Sequence, residues 1–104
     1  ALPILPVDAT QGANVPPVAD AGPDQVVARG QTVRLDASGS YDPDRYPIAG
    51  LRYIWTAPAG ILLSDARAAR TSFAAPSTAG DYPFTLRVYD GAEYGSDEVV
   101  VSVR

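Results

Sequence analysis

Between Tyr82 and Tyr89 the chain reads YPFTLRVY, with Tyr82, Phe84, Leu86 and Val88 falling at every second position. That alternation puts four large apolar side chains on one face of an extended strand and leaves the other face to polar groups. The same period recurs along the chain. Val33 and Leu35 alternate in Thr32–Asp36. Leu51, Tyr53 and Trp55 share one face of the next run, and Val99, Val101 and Val103 share one face of the last. Shorter runs lie at Gln25–Ala28, Ile61–Leu63 and Thr71–Ala74. Gly, Pro and Asp separate the runs, and the only helix-like stretch, Ser64–Arg70, is too short and polar to compete. Seven half-buried runs in this order predict an all-β fold, an immunoglobulin-like sandwich of two antiparallel sheets. On this reading Trp55 is a core anchor, and Tyr82 is a tyrosine-corner residue whose hydroxyl bonds back to the chain.

The first 24 residues differ. They carry five of the ten prolines, which fix φ and remove ladder donors, so an extended chain is expected there. Residues 1–13 read as a linker or N-terminal arm and residues 14–104 as the folded domain. ALPILPV is apolar for a linker. A second reading makes it an assembly arm that adds to a neighbour's sheet edge, with Leu2, Ile4, Leu5 and Val7 as anchors and self-association as the result. The segment lacks the basic start and unbroken apolar core of a signal peptide.

Composition removes whole classes of chemistry. With neither histidine nor cysteine there is no thiol nucleophile, imidazole base or ordinary zinc site. Eight arginines are the only basic residues, scattered singly from Arg29 to Arg104, and the net charge is −4, so nucleic acid is not an expected partner. No apolar run approaches the length needed to cross a membrane. One domain of 104 residues hides roughly two-thirds of its unfolded surface and can fold without disulfides.

Several motifs in order carry a resemblance. NVPPVADAGPDQVVARGQTVRLDASGSYDPD, then YIW, then DYPFTLRVYDG, together resemble the polycystic-kidney-disease (PKD) domain over about residues 14–103. The resemblance implies an immunoglobulin-like sandwich, in agreement with the strand pattern. It also implies a non-catalytic accessory module of a larger secreted or cell-surface protein, a spacer that contacts neighbouring domains, protein or polysaccharide. Arg45 stands where family members usually carry glycine, and Arg45–Gly50 makes a longer loop.

SGSYDPDRYP at 38–47 holds the candidate site. In such a sandwich the loop after Thr32–Asp36 and the loop after Tyr82–Tyr89 lie at one pole, and the lead-in segment can run beside them. Asn14, Asp42, Asp44 and Asp90 could then converge as hard oxygen ligands suited to Ca²⁺. Calcium sites at this pole also occur in PKD domains of bacterial collagenases, which the chain resembles. The other reading is turn chemistry, with the aspartates capping nearby backbone N–H groups. A glycosidase pair built on Asp42 finds no supporting cleft or other catalytic group. Tyr41, Tyr46, Tyr89 and Tyr94 fall in loops or outward positions and are candidates for stacking on sugar rings or protein chains. Ile54 and Val100 also point outward, as an apolar patch.

Overall fold

The computed structural model describes residues 15–43 and 51–104. Six strands form: β1 (Gln25–Val27), β2 (Thr32–Asp36), β3 (Arg52–Thr56), β4 (Arg70–Ala74), β5 (Gly80–Tyr89) and β6 (Tyr94–Val103). One sheet has the order β1-β6-β5-β3, and β2 pairs with β4 in the second. All pairings are antiparallel except that of β1 with β6. The fold is therefore the expected immunoglobulin-like sandwich.

The alternation accounts for the core. Val33 and Leu35 from β2 and Phe73 from β4 face Trp55, Phe84, Leu86, Val88, Val99, Val101 and Val103 of the larger sheet, all buried. Phe73 and Phe84 join the sheets across this layer, with ring centroids 4.8 Å apart. Trp55 is 3% exposed, and its indole Nε1–H donates to the Ala68 carbonyl at 3.0 Å, which satisfies the one polar atom it brings inside. The Tyr82 hydroxyl donates to the Thr78 carbonyl at 2.6 Å, as the tyrosine-corner reading expects.

Two runs differ from expectation. Ile61–Leu63 is not a strand. Ile61 and Leu63 do pack against the core while Leu62 is 88% exposed, so the alternation was genuine. What is missing is a ladder. The segment reaches β4 only at its end, where the Ser64 N–H donates to the Ser72 carbonyl at 2.8 Å and the Ser64 hydroxyl accepts from the Ser72 N–H at 3.0 Å. The last strand is longer than its valines, beginning at Tyr94 rather than Val99. Its inward positions there are Gly95 and Asp97, because the chain's own lead-in segment covers them.

That segment runs along β6 from one end to the other. Near its start the Pro17 carbonyl lies over Gly95. Further on, the Asp97 carboxylate accepts the Ala21 N–H at 2.9 Å, and the Asp24 carboxylate accepts the Val100 N–H at 2.9 Å. Regular pairing follows from Gln25 opposite Val101 to Val27 opposite Val103. Gly22, at φ +83°, and Pro23, which has no N–H, interrupt the backbone ladder between these points. Two aspartate side chains supply the missing acceptors there.

Candidate functional site

Three segments meet at one pole. Val18 and Tyr41 exchange backbone hydrogen bonds of 2.7 and 3.0 Å, which ties the lead-in segment to the loop after β2. Pro17 beside Gly95 ties it to the start of β6. Arg52 opposite Tyr89 brings the start of β3 to the same end as the β5–β6 hairpin. The shared pole expected for the carboxylate loop is thus present in the backbone.

The candidate metal ligands are placed only in part. Asn14 and Asp44 lie outside the described residues. Asp42 directly follows the Tyr41 bridge. At Asp90, Oδ1 accepts the N–H groups of Ala92 and Glu93 at 2.8 and 2.9 Å, shaping a hairpin turn that Gly91 completes at φ +104°. Among the described residues no three acidic side chains gather where one cation could sit. The turn-chemistry role is therefore visible at Asp90, and its chemistry as a hard oxygen donor is shared with Asp42.

The second acidic turn is Asp36. Its carboxylate accepts the Ser38 N–H at 2.8 Å and pairs with Arg70 Nε at 3.2 Å. Hydrogen bonds from the Ser38 hydroxyl and backbone, with a smaller contribution from Arg70, hold Asp36 below the ordinary value of 3.8.

The tyrosines divide. Tyr89 and Tyr94 are cross-strand partners on the outer face, with stacked rings 4.6 Å apart at 30°. The Tyr89 hydroxyl donates to the Gly91 carbonyl at 2.9 Å. Tyr94 is 54% exposed, and the Arg87 guanidinium carbon lies 5.9 Å from its ring centroid. Tyr41 is exposed too but belongs to the bridge with Val18. Tyr46 and the arm residues Leu2, Ile4, Leu5 and Val7 lie outside the described residues.

Register sets arginines beside the tyrosine pair that scattered sequence positions did not bring together. Arg52, Tyr89 and Tyr94 form one transverse row of the larger sheet, and Ile54, Arg87 and Ser96 form the next. The signal was present in the alternation, since Arg52 and Arg87 both occupy outward positions. It became legible only once the pairing of β3 with β5 was known.

A family model described as "K319L-like, PKD domain" matches residues 21–103. The chain belongs to the PKD-domain family. Its motifs have physical roles in this fold: Asp24 of A-G-x-D bonds β6, Trp55 of Y-x-W anchors the core, and Tyr82 makes the corner.

Three solved structures similar to this PKD domain are longer chains. One is a nucleoside hydrolase-related hypothetical protein of Saccharophagus degradans, associated with carbohydrate metabolism, at 29% identity and TM-score 0.73, over 88% of this chain and 26% of that one. Another is a putative α-galactosidase of Bacteroides fragilis, at 14% identity and TM-score 0.62, over 85% of this chain and 17% of that one. A third is an endo-fucoidan hydrolase of glycoside hydrolase family 107, at 21% identity and TM-score 0.53, over 88% of this chain and 14% of that one. The two at lower identity speak to fold alone. Among curated proteins none matches the chain.

Proposed function

We propose that this PKD domain is a non-catalytic accessory module of a larger secreted or cell-surface protein, a rigid spacer that also makes weak contacts with protein or polysaccharide. The observation that carries the reading is the path of the chain. It comes in beside Gly95 and leaves β6 after Val103. Eight residues of extended strand separate those points, about 27 Å at ~3.4 Å each. A module with its two connections at opposite ends sets a distance between whatever it joins. The solved structure at 29% identity supports the accessory role, because it is a much longer chain of which this fold matches 26%. The link to carbohydrate metabolism of the relative at 29% identity supports polysaccharide as one surface to be contacted.

Calcium belongs to the same proposal. Asn14, Asp42, Asp44 and Asp90 have the chemistry of hard oxygen donors, so a cation held by them would fasten the lead-in segment to the domain and stiffen the connection. Arg52 and Arg87, on neighbouring rows, and the tyrosine pair supply the contact face.

The spacer reading is tested by joining two copies of residues 1–104 in series and measuring small-angle X-ray scattering. The proposal expects an end-to-end arrangement, with a maximum dimension close to twice that of one copy. A side-by-side dimer of barely increased length would contradict it. Incubation with polysaccharide and protein substrates is expected to release no product, and any turnover would overturn the non-catalytic assignment.

A further inference from the structure

The outer face of the larger sheet carries a shallow groove of about 520 Å³ lined by Leu51, Arg52, Ile54, Arg67, Tyr89 and Tyr94, among others. Its volume is within the range of small-ligand sites, roughly 300–1,000 Å³. Arg87 stands beside it, directly opposite Ile54 on the neighbouring strand. Three guanidinium groups therefore come from β3, β5 and the loop before β4. Among the described residues the ion pair present is Arg70–Asp36, on the other sheet, so none of the three is spent on an acidic side chain. The nearest acidic contact to Arg67 is made through its backbone, whose N–H donates to the Asp65 carboxylate at 2.9 Å.

A second depression, of about 420 Å³ on the smaller sheet, makes the contrast clear. It is lined by Arg34, Asp36, Ser64, Arg70, Thr71 and Ser72, among others. There Arg70 already pairs with Asp36, and the hydroxyls of Ser64, Thr71 and Ser72 bond to one another and to backbone. That depression leaves Arg34 as its one unpaired guanidinium among the described residues, whereas the outer groove gathers several.

We infer that the Arg52–Arg67–Arg87 groove, with the Tyr89–Tyr94 pair as its wall, is a docking site for an acidic polysaccharide, a sugar chain bearing carboxylate or sulfate groups. Two features select this occupant. Guanidinium forks match carboxylate and sulfate oxygens. The tyrosines add what a bare phosphate or carboxylate does not need: flat apolar surface with polar edges, suited to a sugar ring. Stacking and the Tyr89–Gly91 hydrogen bond fix the tyrosines before any ligand arrives, which reduces the ordering cost of binding. The net charge of −4 makes the inference sharp, since the molecule as a whole repels polyanions and only a local cluster can hold one. The inference rests on the interaction part of the proposed function but not on the spacer part.

Affinity electrophoresis of the full chain through gels containing polygalacturonate, dextran sulfate or neutral dextran tests it, with poly-glutamate as a competitor of matched charge. The unmodified protein is expected to be retarded by one or both acidic polysaccharides, less so as salt rises, and not by dextran. Arg52→Ala with Arg87→Ala is expected to weaken binding roughly tenfold. Tyr94→Ala should weaken it as well, while Arg34→Ala on the other sheet leaves it unchanged. Thermal unfolding of each variant reports whether the fold is intact. Equal retardation of the double variant, retardation by neutral dextran, or full displacement by poly-glutamate would each overturn the inference, the last in favour of an acidic peptide. No retardation at all would overturn it too, and leave the spacer reading to its own scattering test.

Discussion

Gly95 and Pro17 are in contact in a way that only glycine permits. A Cβ added at Gly95 would overlap the Pro17 carbonyl oxygen and crowd the Pro17 carbonyl carbon at 3.0 Å. This is a matter of space and not of backbone torsion, since Gly95 is not among the positive-φ glycines. It is the point at which the lead-in segment is laid onto β6.

Gly95→Ala is accordingly expected to lift the lead-in segment and destabilise the domain by about 1–3 kcal/mol, the usual cost of forcing extra carbon into a packed site. Urea unfolding measures the loss. Amide exchange at Ala21 should accelerate more than exchange in β5, which shows that the damage starts at the segment.

The side-chain rungs further along make a second prediction. Asp97→Ala removes the acceptor of the Ala21 N–H and is expected to cost about 1–3 kcal/mol. Asp97→Asn keeps a carbonyl oxygen in that place and should recover part of the loss. A urea midpoint for Asp97→Ala equal to that of the unmodified protein would mean that the hydrogen bond contributes nothing.

Tyr82→Phe tests the corner. It leaves the ring and deletes the hydroxyl that bonds the Thr78 carbonyl. A loss of about 1 kcal/mol is expected, read from the same unfolding curves, with no change in the cooperativity of the transition.

Asp36 gives a pH prediction. Its pKa is lowered in the folded state, so it adds stability above the unfolded value and loses that contribution as pH falls through the folded one. The window lies below about pH 4. The group is exposed, so solvent screening keeps the effect small. Asp36→Asn should flatten the fall in urea midpoint between about pH 5 and pH 2.

Much of this architecture was legible in the sequence, and the limits were physical. Alternation exposed the core wherever a strand's inward face meets apolar side chains, as at Leu86 or Val101. It failed from Gly95 to Glu98, where that face meets backbone and a carboxylate takes the place of a valine. It overreached at Ile61–Leu63, because burial on alternate positions does not require a hydrogen-bonded neighbour. Arg52 and Arg87, 35 positions apart, became a site only through strand register, which no local pattern encodes. For the carboxylate loop, the turn role of Asp90 is seen directly, while Asn14 and Asp44 lie outside the described residues.

Calcium is tested by thermal unfolding in EGTA and in millimolar Ca²⁺. Free ion at about 100 times the dissociation constant adds about 2.7 kcal/mol, a rise of roughly ten degrees for a domain of this size. The rise is expected to vanish in Asp44→Ala.

The spacer claim rests on the distance between the two ends, and the cysteine-free sequence makes it directly measurable. Spin labels on Val18→Cys and Arg104→Cys, both exposed positions, report it by pulsed electron resonance. A narrow distribution near 30 Å is predicted from the extended strand that separates them. A broad distribution, or one centred below about 20 Å, would contradict a rigid module connected at opposite ends.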